Sequence, residues 1–300
     1  MRIDVHAHYY TPEFMARMRA LGCSWRPNRE IVDTAGLTDL RAEHLAAGGV
    51  DLQVLSVGAQ QPYLQRVEDA VEGARYANDF YRQAVERGGG RYGAFGCVPL
   101  PHVSAAIAEA RRCLDTLGFL GINLGCSTAG RALDDPDFHP FWAELDSRRA
   151  VVFLHPLGVG GPLQKDFGLA WSVGAMFEDT IAALRLARSG HLDRFPHVKI
   201  IVPHLGGTLP FVWDRVTRSD PRAAAGLRRL YYDTVNGTPS ALRCACETLG
   251  ADRLMLGTDY SYHTPQECVS DVEVAGLAPN EVTGILDRNA QALLGVGASA

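Results

Sequence analysis

Short runs of β-branched and apolar residues recur along the chain, each closed by polar residues, glycine or proline. They predict strands over 2–8, 52–57, 92–98, 120–124, 151–155, 199–204, 230–234 and 254–259. Stretches of helical period lie between them. "SAAIAEARRCLDTLG" (104–118) is one, and "DTIAALRLARSGHLDRF" (179–195) is another, with apolar residues at 181, 184, 186, 187 and 192. Strands alternating with helices imply parallel βα units. Eight such units in 300 residues predict a (β/α)8 TIM barrel, a single domain over 1–300. The rival is an open doubly wound sheet, which would offer a Gly-rich phosphate turn after its first strand. Here the first strand ends "HAH" instead.

Two insertions are long: 9–38 after the first strand and 156–178 after the fifth. Both follow the C-terminal ends of strands, where barrel enzymes carry their working loops, so both are expected to wall a pocket. No Gly/Ser linker, low-complexity tract or repeat divides the chain.

Composition narrows the partners. With 47% hydrophobic and 21% charged residues, a net charge of −5 and no dense Lys/Arg run, a nucleic-acid or membrane partner is not expected. No apolar stretch approaches the roughly 20 residues of a membrane span. The N-terminal apolar run carries Asp and two His, unlike a signal peptide. The seven cysteines are odd in number and scattered, and Cys244 and Cys246 face different ways on a helical stretch. No disulfide framework is indicated, and a reducing cytoplasm is the expected compartment.

The polar strand ends suggest chemistry. Strict alternation would put Asp4, His6 and His8 on one face of the first strand and Ile3, Val5 and Ala7 on the other. Strand five ends "VVFLHP" at His155, strand six "IIVPHLGG" at His204, and strand eight "LMLGTDY" at Asp259. A barrel mouth crowded with unpaired imidazoles would be poorly satisfied, so these groups are expected to meet a ligand. Neutral imidazole with carboxylate suits one divalent metal ion per chain, Zn²⁺ first, with Mn²⁺, Fe²⁺ and Co²⁺ sharing the same donors. Trp171, in the second insertion, and His263, four residues past Asp259, are substrate-binding candidates. Asp233, in "YYDT", is a competing carboxylate for which a supporting role is expected. His44, His191 and His197 read as structural or solvent-facing, and His102 and His139 as capping or surface residues.

The motifs together resemble the amidohydrolase superfamily, in its amidohydrolase 2 branch. That branch includes aminocarboxymuconate-semialdehyde decarboxylase and γ-resorcylate decarboxylase. "IDVHAHYYTPEF", "GCVPLP", "LGFLGINLG", "VVFLHP", "SGHLDRFPHVKIIVPHLGGTLPFVWDRV", "YYDT" and "DRLMLGTDYSY" carry the resemblance across essentially the whole chain. It implies His6, His8, His155 and Asp259 as metal ligands and His204 as the acid/base, with Asp259 sharing in proton handling. Asn123 stands near the place of the carboxylated lysine of binuclear relatives, which implies a single metal. Arg29 corresponds to an arginine that binds substrate carboxylate. Arg215 corresponds to one that reaches into a neighbouring subunit's pocket, which implies a homodimer. The implied activity is non-oxidative decarboxylation of an aromatic or unsaturated small-molecule carboxylate. Hydrolysis or hydration of a lactone, ester, amide or enol is the alternative on the same site. Asp259-Tyr260-Ser261 departs from the usual Asp-aromatic-Pro and leaves the substrate open.

Overall fold

In the computed structural model, which describes residues 1–23, 37, 39–164 and 166–297, the apolar runs form one parallel sheet rolled into a barrel. Its strands are β1 (Ile3–His8), β2 (Leu52–Ser56), β3 (Tyr92–Gly96), β4 (Gly121–Gly125), β5 (Val151–His155), β6 (Lys199–Val202), β7 (Tyr231–Asp233) and β8 (Leu254–Met255). Every neighbouring pair is parallel, in sequence order. The chain after β8 closes the ring onto β1: Val5 N–H donates to the Leu256 carbonyl (2.9 Å), and Asp259 N–H to the His6 carbonyl (2.8 Å). A small antiparallel hairpin, Ser127–Thr128 with Arg131–Ala132, stands after β4.

Two apolar layers hold the barrel. The inner one joins Ile3, Val5, Val54, Phe95, Phe153, Ile201 and Met255, and the C-terminal helix Asn289–Leu294 packs Ala290 and Leu293 onto it. The outer layer lies between strands and helices, where the 21-residue helix Val67–Arg87 turns Ala70, Ala74, Ala77, Tyr81 and Ala84 inward. Each large side chain so buried contributes about 1.5–3 kcal/mol. Among the described residues no helix is long and apolar enough to cross a membrane.

Several boundaries differ from the sequence expectation. β6 stops at Val202 because Pro203 has no N–H for the ladder, so His204 sits in a short turn beyond the strand. β8 is only two residues long, and Asp259 comes from the segment that closes the ring. The helix expected over 179–195 is Ala175–Arg188 with a separate turn His191–Arg194, broken at Gly190, whose φ is +78°.

One difference decides the site. The pairing of β1 with β2 slips by a residue between Asp4 and Ala7. Below the slip Ile3 and Val5 belong to the barrel interior, while Asp4 accepts from Gln53 Nε2 (2.8 Å), and Gln53 Oε1 in turn accepts from Arg41 on the helix Asp39–Ala47 (2.8 Å). Above it Ala7 joins the outer layer, and His6 and His8 face the interior. The expectation that Asp4 shares a face with His6 and His8 is therefore wrong. A β-bulge reverses the alternation.

Candidate metal centre and catalytic pocket

Four side chains meet at the C-terminal mouth of the barrel: His6 and His8 from β1, His155 from β5, and Asp259 from the closing segment. One ligand atom of each lies within 4.8 Å of all the others. The three imidazoles are held from behind. His6 Nδ1–H donates to Asp233 Oδ2 (2.7 Å), His8 Nδ1–H to the Ser56 carbonyl (3.1 Å) and His155 Nδ1–H to the Pro156 carbonyl (2.7 Å). A backbone carbonyl or an ionised carboxylate only accepts, so these bonds put the proton on Nδ1 and leave Nε2 as a lone pair.

The inward-facing atoms are all acceptors. His6 Nε2 lies 3.3 Å from His8 Nε2, which lies 3.2 Å from His155 Nε2. Asp259 Oδ1 is 3.3 Å from the first and 3.0 Å from the second, and it is buried with no hydrogen-bond donor. Such a cluster repels itself unless a cation fills it. Ligand bonds of about 2.0–2.2 Å around one ion put neighbouring donor atoms roughly 3–3.5 Å apart, which is the spacing found. The donor set fits a single divalent ion.

Electrostatics points the same way. Burial works against charge on His6, but Asp259 and Asp233 outweigh it and lift the imidazole to about 9. Burial, with the neighbouring imidazoles, pushes His155 well below the usual histidine range. Burial would raise the Asp259 carboxyl, yet His6, His204 and His8 outweigh it and hold the group well below the usual carboxylate range. The cluster is short of positive charge.

Close packing fixes the rings. A Cβ at Gly58 would come within 2.4 Å of the His8 ring, and one at Gly257 within 2.7 Å of Asp233 and 3.1 Å of His6. Only glycine fits behind either imidazole.

His204 stands beside the cluster and outside it. Its Nδ1–H donates to Asp179 Oδ2 (2.9 Å), its backbone N–H to Asp233 Oδ1 (2.8 Å), and its Nε2 lies 3.9 Å from Asp259 Oδ2. Burial opposes its charge, but Asp179 and Asp259 outweigh burial and lift it to about 10. His204 and Asp259 both have left-handed backbone, with φ of +55° and +54°, a strain that marks functional positions. Asp233, expected in a supporting role, joins the two groups by holding His6 through one oxygen and the His204 backbone through the other. Asp179 was not singled out from the sequence. It lies in the first turns of the helix Ala175–Arg188, is fully buried, and also accepts from Cys126 Sγ (3.2 Å).

A cavity of about 250 Å³ opens over these groups. His8, His155, His204 and Asp259 form its floor, and Tyr10, Pro156, Trp171 and Met176 are among its walls. The second insertion thus walls the pocket as expected. Trp171 and His263 both line it; Met176, Asn236 and Tyr262 line it too and carried no signal in the sequence. Arg29 lies outside the described residues. Arg215 is exposed on the helix Leu209–Thr217 and does not line the cavity of its own chain.

A parallel barrel with an acceptor cluster and an adjoining His–Asp pair at its C-terminal rim is the build of an enzyme that works with a metal ion. The chain matches the amidohydrolase family over residues 3–296 and belongs to it. It is 31% identical over 250 residues to the 2-amino-3-carboxymuconate-6-semialdehyde decarboxylase of Dictyostelium discoideum, covering 78% of this chain and 69% of that one. It is 29% identical over 295 residues to the gamma-resorcylate decarboxylase of Rhizobium radiobacter, covering 87% and 88%. Its fold is that of a dihydroxybenzoic acid decarboxylase from a Polaromonas species, solved with manganese and the inhibitor 2-nitroresorcinol. There the TM-score is 0.83 and the identity 22%, over 99% of this chain and 98% of that one.

Proposed function

We propose that this chain is a metal-dependent, non-oxidative decarboxylase of an aromatic or unsaturated carboxylic acid. The observation that carries the metal-dependent part is the ring of three Nε2 lone pairs and one carboxylate oxygen. His6, His8, His155 and Asp259 would hold one divalent ion, for which we infer zinc; manganese, iron and cobalt suit the same donors. Such an ion supplies positive charge beside a substrate oxygen and stabilises the electron pair left on carbon as carbon dioxide departs. In that reaction the carbon–carboxylate bond breaks, the pair stays on carbon, and a proton takes the place of the carboxylate. His204 would deliver the proton. Asp179 holds its Nδ1, so Nε2 is the nitrogen turned to the cavity, next to Asp259 Oδ2. Trp171 and Met176 wall off the substrate, and His263 sits at the exposed rim.

The activities named for the relatives favour decarboxylation over hydrolysis. The deciding experiment offers hydroxybenzoates, muconates and small lactones in ¹⁸O-labelled water. Carbon dioxide release with no label in the organic product is expected, and labelled product would move the assignment to hydrolysis.

We also infer a homodimer. The helix Leu209–Thr217 buries only Leu209 within its own chain, and Phe211 is 91% exposed. A second copy would cover that face and bring Arg215, whose planar guanidinium suits a carboxylate, to the partner's pocket. Sedimentation of a fully active monomer would overturn this. All seven cysteines are free, which agrees with a reducing compartment such as the cytoplasm.

A further inference from the structure

Four fully buried polar side chains are linked behind the metal centre: Arg41, Gln53, Asp4 and Thr258. Arg41 comes from the helix Asp39–Ala47, Gln53 from β2, Asp4 from β1, and Thr258 from the segment that closes the ring. Asp4 is the hub. Its Oδ1 accepts from the backbone N–H of His6 and of Thr258, at 3.1 Å each. Its Oδ2 accepts from Gln53 Nε2 (2.8 Å) and from the Thr258 hydroxyl (2.7 Å). That hydroxyl oxygen also accepts from the Tyr260 N–H (3.1 Å). At the other end Arg41 donates to Gln53 Oε1 (2.8 Å) and to the His8 carbonyl (2.7 Å), and its guanidinium covers the Tyr260 ring at 4.5 Å.

None of the four lines the catalytic cavity. What they grip is main chain: the backbone of His6, the backbone of His8, and the residues on either side of Asp259. Three of the four residues at the metal centre are thus tied to one network. Asp259 needs the tie most. Its φ of +54° is a conformation that a non-glycine residue keeps only where its surroundings over-determine it. The Thr258 hydroxyl spans that residue, reaching Asp4 on one side and the Tyr260 N–H on the other. Stability alone does not account for the arrangement, since well-packed apolar side chains commonly stabilise a fold as well as buried charges do. Apolar packing has no direction, however, and could not aim these N–H and carbonyl groups.

We propose that Asp4, Thr258, Gln53 and Arg41 are positioning residues for the metal ligands. Asp4 and Thr258 set Asp259 against His6, while Arg41, steadied by Gln53, sets the backbone of His8. They act on the ion only through the residues they hold. The inference rests on the metal-centre reading of the donor cluster, and it is independent of which reaction that centre performs.

Thr258 offers the sharpest test. Thr258→Val keeps the shape and loses the hydroxyl, whereas Thr258→Ser keeps the hydroxyl and loses a methyl group. The probe is cobalt(II), whose visible absorption reports the geometry of its ligands and whose affinity is read by chelator competition. Thr258→Val should bind cobalt about 10-fold or more weakly, the scale of losing a group that orients a ligand, and its spectrum should change. Thr258→Ser should stay close to wild type in both. Gln53→Met, which cuts the tie between Arg41 and Asp4, should weaken binding and alter the spectrum in the same direction. Melting of the metal-free proteins checks that each variant folds. A valine variant that melts earlier but keeps wild-type affinity and spectrum overturns the inference, because the network would then only hold the barrel together. A serine variant as impaired as the valine one does the same. Should Thr258→Val fail to fold, Gln53→Met decides alone, and unchanged affinity and spectrum there overturn the inference. A wild type that takes up no cobalt is a different failure: it ends the metal-centre reading itself, and the positioning role falls with it.

Discussion

The chain buries histidines in two settings that share a residue type and little else. At the rim, His6, His8, His155 and His204 each give their Nδ1 proton to a fixed acceptor. On the flank, His191 is wedged between Trp142 and Phe195, with ring centroids 4.5 and 4.9 Å away, and neither of its nitrogens has a partner. Burial drives His191 down to about 4, so it serves as a neutral aromatic filler. A buried imidazole becomes machinery when something behind it fixes which nitrogen faces forward.

Removing a rim ligand should break that contrast most severely. His155→Ala should give a folded, metal-poor protein with turnover near background, read by elemental analysis beside a carbon dioxide assay. A full metal load with wild-type turnover would falsify the centre. His204→Asn should separate proton delivery from metal binding. The ion should stay, while kcat drops on the order of 10²-fold or more, the scale of general acid–base help. Equal loss of metal and rate would make His204 a ligand. Asp233→Asn loosens the hold behind His6 and should weaken metal affinity by about 10–100-fold, measured by chelator competition.

The smallest effect belongs to the flank. The folded pKa of His191 lies below its unfolded value, so the unfolded chain binds the extra proton in between. The neutral ring's contribution to stability is complete above about pH 6.5 and fades as pH falls toward about 4, at no more than about 1.4 kcal/mol per pH unit. His191→Phe should flatten this part of the melting-temperature profile and leave metal content as it was. A slope unchanged in the variant would show that other groups govern acid sensitivity.

The rim residues were legible because each is a polar residue ending an apolar run, and a barrel brings all its strand ends to one face. Asp179 was not legible. An acid in the first turns of a helix is commonplace, since it complements the positive end of the dipole, and nothing in "FEDTIAAL" marks one carboxylate as buried. The strand ends were overrun for a related reason: "IIVPH" and "LMLGTD" keep an extended look after the regular ladder has ended at Val202 and at Met255. The left-handed turn at His204 follows, and it aims the imidazole in a way no periodicity encodes.

The slip in β1 works like a change of reading frame within a single strand. Below it the interior reads Ile3 and Val5; above it, His6 and His8. One added residue lets the same strand be read in one phase as scaffold and in the other as reagent, so each half can vary without rewriting the other. Strict alternation from Ile3 with no slip would instead give both histidines the phase of the helix-facing layer. The metal centre would be lost though every one of its ligands was still in the chain.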